Sequence, residues 1–153
     1  SILDLNEEKP DLDKRLNLLK GAYLAGVVQM NSGSGIGAAI SYPLSVFYKV
    51  PHGIGGGIFL LGIARFNESM GFTKYDNLMK LIPNSAHDNF LSHMEDIFSK
   101  LDVPSDLAIF NIYKDNKSHL CEIMKTQQLA FDQNPYKFSA EDDFPNFIDS
   151  YLT

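Results

Sequence analysis

The chain has 153 residues, a size that fits one helical domain over 1–153. Its net charge of −6, with 13 scattered Lys and Arg against 19 Asp and Glu, argues against a nucleic-acid partner. Neutralising a phosphate backbone needs clustered cations. The single cysteine, Cys121, excludes an internal disulfide and a Cys-rich zinc site, and favours a reducing compartment, the cytoplasm.

The first fourteen residues, SILDLNEEKPDLDK, are acidic and lack the apolar stretch of a secretory signal. The longest apolar run, Gly53 to Ala64, is short of the ~20 residues a membrane span needs. No membrane partner is expected.

Leu12, Leu16, Leu19, Tyr23, Val27 and Met30 recur at helical spacing, and Asp11 is placed to cap the helix they define. Asn31-Ser-Gly-Ser-Gly ends it. A second helix is predicted from about Ile36 to Tyr48, distorted at Pro43. A third begins after His52 and carries Ile54, Ile58, Leu61 and Ile63. Three later segments, Thr73 to Asp76, Ser85 to Asp88 and Ser139 to Asp142, place an acid three residues after a hydroxyl. Each reads as a helix start.

The first opens a short helix with Leu78, Met79 and Ile82. The second opens one with Phe90, Leu91, Met94, Ile97, Phe98 and Leu101. A short helix follows Pro104-Ser105-Asp106, and another runs from about Ser118 to Leu129 with Leu120, Ile123 and Met124 inward. The third start opens a terminal helix with Phe144, Phe147, Ile148 and Tyr151. No segment alternates as a strand would. The pattern is all-α, a bundle of about seven or eight helices.

Several features invite chemistry. Gly33-Ser-Gly-Ile-Gly37 follows a helix and lacks G-x-G-x-x-G spacing, so it reads as a helix–helix turn, with anion contact at a helix start as the alternative. Gly53, Gly55, Gly56 and Gly57 each cost a helix about 1 kcal/mol relative to Ala. Close approach of a neighbouring helix would offset that, and so would room for a cofactor ring. His87 and His93 are six apart and do not share a helix face. His119 has only Glu122 at a ligand-like spacing. Cys121 lacks a nucleophile's partners in sequence and reads as core.

His52 stands between Pro51, which stops one helix, and Gly53, which lets the next begin close by. It is well placed to point a ring nitrogen at a metal, or else to hydrogen-bond nearby backbone. The surrounding stretch, Gly35 to Leu60, resembles the motif around the last metal histidine of the iron-containing (group III) alcohol dehydrogenases, approximately G-x-x-H-x-x-x-H-P-L-G-x-x-Y-x-x-P-H-G. The match falls at Pro43, Leu44, Tyr48, Pro51, His52 and Gly53. Ala38 and Tyr42 stand at the two upstream histidine positions. The resemblance extends to Ala22-Tyr-Leu-Ala-Gly26, to Arg65-Phe66-Asn67, and to Asn134-Pro135-Tyr136 with the segment after it.

The resemblance implies the later part of the helical, metal-holding domain of an NAD(P)-linked oxidoreductase. It implies Fe²⁺ or Zn²⁺ as the metal, with His52 as the one family ligand present. The Asp and His of the preceding family helix have no counterpart, and the third ligand position, fourteen residues before His52, is Ala38. Tyr42 would line the substrate pocket. NAD(P) would bind only through a missing domain. No residue of the chain is expected to be catalytic, and the isolated chain is expected to be inactive. A helical binding or assembly module derived from that domain is the alternative. Either way, self-association or a nucleotide-binding partner chain is expected.

Overall fold

A computed structural model describes residues 11–82 and 85–153. Among them are eight α-helices and no strand, as the periodicity predicts. The acidic residues before Lys9 lie outside the described residues. The chain divides into two compact units, residues 1–33 and 34–153.

In the first unit, α1 spans Leu12–Ser32. The Asp11 carboxylate accepts the Asp13 N–H at 3.2 Å, as the sequence suggests. At the other end Asn31 and Ser32 donate to the Val27 and Val28 carbonyls, both at 2.8 Å. Gly33 then takes φ 76, a left-handed value that suits glycine, and the helix stops. The apolar stripe is not the helix's only apolar surface. Leu18, Leu24 and Val28 lie off it, and none of the helix's residues is buried.

The second unit is built on a helical hairpin, α2 (Gly35–Tyr48) and α3 (His52–Ser69). Small residues line their seam. A Cβ on Gly55 would meet Ser41 Oγ and a Val50 methyl at 3.4 Å, and one on Gly37 would meet the Gly56 carbonyl at 3.8 Å. The seam is tightest at Gly55; at Gly56 a methyl would meet Ser41 Cβ at 3.8 Å, an ordinary contact. Close helix approach does not explain Gly53 or Gly57, where a methyl would meet open space. The start of α2 is held from far along the chain: Gln133 Oε1 accepts the Ser34 and Gly35 N–H groups at 2.9 and 3.3 Å.

Against this hairpin pack α6 (Lys117–Lys125), α7 (Gln128–Phe131) and α8 (Phe144–Asp149). The core is continuous and aromatic. Ile40, Leu44, Phe59, Leu107, Leu120, Phe131, Phe144 and Ile148 are fully enclosed. Phe59 sits 4.7 Å from the Tyr151 ring, edge on. On the other side α4 (Tyr75–Met79) packs on α5 (Phe90–Lys100), and α5 packs on α3.

The helix starts depart from expectation in three places. Thr73 does not cap α4, whose N-cap is Lys74 with no side-chain bond. Asn89, not Ser85, caps α5, accepting the Ser92 N–H at 2.9 Å. Ser85 turns instead onto the His87 N–H at 3.1 Å. Ser139 does accept the Asp142 N–H at 3.0 Å, but its own N–H goes to Asp143, and α8 begins only at Phe144. A hydroxyl bonding its own neighbourhood makes a turn as readily as a cap.

The helix expected over Ser118–Leu129 is two helices. Thr126 donates to the Ile123 carbonyl at 2.7 Å, and Gln128 accepts the Ala140 N–H at 2.9 Å. The break turns Phe131 into the core. The segment after Pro104 is a single 3-10 turn, Ala108–Phe110, with Asp106 accepting the Ala108 N–H at 2.9 Å.

Candidate functional site

The corner between α2 and α3 presents His52. Lys49 takes a left-handed backbone, φ 61, and the Val50 N–H reaches back to the Leu44 carbonyl at 3.3 Å. Val50 is buried and pins the turn. Pro51 ends the turn at φ −56, and its carbonyl accepts the Gly55 N–H at 2.9 Å, the first bond of α3. His52 is therefore the first residue of α3 and is exposed. Its Nδ1 lies 2.8 Å from the hydroxyl of Ser41, which is buried on α2. The same hydroxyl lies 2.7 Å from the His52 carbonyl oxygen. Sequence reasoning missed Ser41. The only signal was its small size opposite a run of glycines.

Tyr42 is 62% exposed, and its hydroxyl has no hydrogen-bond partner among the described residues. Ala38, one turn earlier on the same face, is half-buried. With Val46 and Phe47, both exposed, they give α2 an apolar outer strip.

The other histidines find partners that spacing did not predict. His119 meets Tyr48, Oη to Nδ1 at 2.7 Å, and the Phe47 ring edge at 5.7 Å. Glu122, its expected neighbour, pairs with Lys125 at 2.7 Å. Partial burial pushes the Tyr48 phenol above its ordinary value. His87 and His93 come together after all, rings 5.7 Å apart, because the chain bends before α5. His87 Nε2 is 3.3 Å from Asp96, which also takes a 2.6 Å bond from Lys100. Lys100 first, then His87, holds that carboxyl below its usual range. Cys121 is half-buried against the core, and burial pushes its thiol up.

A cavity of about 320 Å³ lies away from this corner, between α3 and α5. Ile58, Leu61, Phe98 and Tyr151 line it, and Arg65 and Glu95 pair at its side.

The domain is all-α and carries Pro51-His52-Gly53 at the head of a glycine-rich helix. Residues 1–144 match the family model described as Fe-containing alcohol dehydrogenase family, C-terminal. The chain belongs to that family. Over 72 residues, 47% of its length, it is 31% identical to the lactaldehyde reductase of Escherichia coli (strain K12). The same figures hold for the lactaldehyde reductase of Escherichia coli O157:H7. The matched stretch spans 19% of each relative.

The family implies a metal ion and NAD, and the donor set here does not fit the metal. Tight binding of iron or zinc takes three or four protein ligands. Among the described residues, no group of three or more His, Cys, Asp or Glu side chains could hold one. Ala38 offers a methyl group. Gly33 to Gly37 joins helix to helix and so lacks the strand a dinucleotide loop follows. No described helix is long and apolar enough to cross a membrane.

Proposed function

We propose that this chain is the later, helical portion of a metal-dependent, NAD(P)-linked alcohol dehydrogenase-like oxidoreductase, and that by itself it does not transfer hydride. The observation that carries the reading is the His52 corner. A family-type histidine is held at the head of α3, yet Ala38 and the absence of any three-donor group among the described residues leave it alone. In this reading His52 contributes one donor and Tyr42 lines the pocket. The remaining donors, and the nicotinamide, come from outside the described residues.

A nucleotide-binding partner chain or a second copy is the partner this reading expects. The reading places the protein in the cytoplasm, consistent with its one free thiol.

The test is turnover. The purified chain, given NAD(P) and short alcohols or diols, should show no oxidation above a no-protein control. Turnover that disappears in His52→Ala would overturn the proposal. Ala38 favours a second reading, a helical binding or assembly module without catalysis. Co-purification with a dinucleotide-binding chain, followed by turnover of the complex, would exclude that second reading.

A further inference from the structure

The Ser41 hydroxyl touches two groups of one residue, and only one arrangement of hydrogens satisfies both. It has one proton to give. The His52 carbonyl, 2.7 Å away, can only accept. The proton therefore goes to that carbonyl, and the hydroxyl oxygen is left to accept at the other contact. The atom there is His52 Nδ1, at 2.8 Å. Nδ1 must then carry a hydrogen. The opposite placement would set two oxygen lone pairs against each other at 2.7 Å, with the buried Ser41 hydroxyl on one side of the contact.

We propose that Ser41 is a positioning residue for His52: it receives the Nδ1–H, holds the neutral ring in that tautomer, and so leaves Nε2 as the electron-pair donor at the α2–α3 corner. A ring nitrogen's role is set by the hydrogen bond the other one makes. Nε2 has no partner among the described residues, and His52 is exposed, so the donor atom is open to a ligand. What it suits is an electron-pair acceptor reached at a single point, such as the proton of a hydroxyl group. Ser41 faces Gly55 across the α2–α3 seam, where an added Cβ would meet its hydroxyl at 3.4 Å, and Ser45 donates to its carbonyl at 3.0 Å.

The hydrogen placement stands whether or not the chain serves an oxidoreductase, since it concerns two neighbouring side chains. The experiment is two-bond ¹⁵N–¹H correlation NMR on the full chain with labelled histidine. The spectra are recorded at mildly alkaline pH. His52 should show Nδ1 as the protonated, pyrrole-type nitrogen and Nε2 as the bare, pyridine-type one. Ser41→Ala, with folding checked by circular dichroism, should lose that preference and move the proton toward Nε2. A wild-type spectrum with the proton on Nε2 would overturn the proposal, with no variant needed. So would a folded Ser41→Ala protein with an unchanged pattern, because a merely structural serine would leave the tautomer where it was.

Discussion

Asn67, at the end of α3, exchanges two hydrogen bonds with Asn134, 67 residues further on. Asn134 Nδ2 donates to Asn67 Oδ1 at 2.7 Å, and Asn67 Nδ2 donates back at 3.2 Å. Asn67 is buried, and its amide also reaches the Tyr75 hydroxyl at 3.2 Å. Asn134 also donates to the Tyr136 carbonyl at 2.8 Å. The Arg65-Phe66-Asn67 and Asn134-Pro135-Tyr136 segments, far apart in sequence, are thus the two halves of one clasp.

Breaking the clasp from one side should cost more than its net worth. Asn67→Ala leaves the Asn134 amide short of partners, and an orphaned polar group costs about 1–3 kcal/mol. Asn134→Ala should cost a similar amount, and the double variant less than the sum of the two. Urea unfolding of the four proteins checks this. Additive losses would show that the two amides do not depend on each other.

Two glycines of α3 should respond to alanine with opposite signs. A Cβ on Gly62 would run into the Tyr151 hydroxyl and the Phe147 ring edge, both well inside van der Waals contact. Overpacking of that kind costs about 1–3 kcal/mol. A Cβ on Gly57 meets nothing within 4 Å. Gly57→Ala should therefore stabilise the helix by up to about 1 kcal/mol. Thermal midpoints of the two variants, one below and one above the parent, are the expected result.

Alkaline pH should loosen the core through Tyr151. Burial pushes its phenol above the ordinary 10.0, against the pull of the nearby Arg65 cation. Between the unfolded and folded values, the folded chain holds a proton that the unfolded chain has released. Stability is thus fully present below about pH 10 and falls as pH rises through the folded value. Tyr151→Phe should flatten part of that fall, with a remainder from Tyr48, Cys121 and Lys125, whose values are raised as well. Urea midpoints across the alkaline range measure it. An identical slope in the variant would assign the loss elsewhere.

What the sequence made legible follows the reach of each signal. Helical periodicity acts locally, so α1, α2, α3, α5 and the terminal helix fall where Leu12, Ile36, Ile54, Phe90 and Phe144 put them. Hydroxyl caps were less reliable. Ser85 and Ser139 have turn partners within reach, and Thr73 leaves Lys74 as the cap. His52 was legible because Pro51 and Gly53 flank it. Ser41 was not, since an eleven-residue gap across a helical corner has no sequence signature. Helix spacing would keep His87 and His93 apart, but His87 lies before α5 begins.

On the proposed function, His52 alone does not make a metal site in this chain. Equilibrium dialysis against Zn²⁺, and against Fe²⁺ under anaerobic conditions, followed by elemental analysis, is the decisive measurement. Well below one metal per chain is expected, with His52→Ala indistinguishable from the parent. One tightly held metal per chain, lost in His52→Ala, would contradict it.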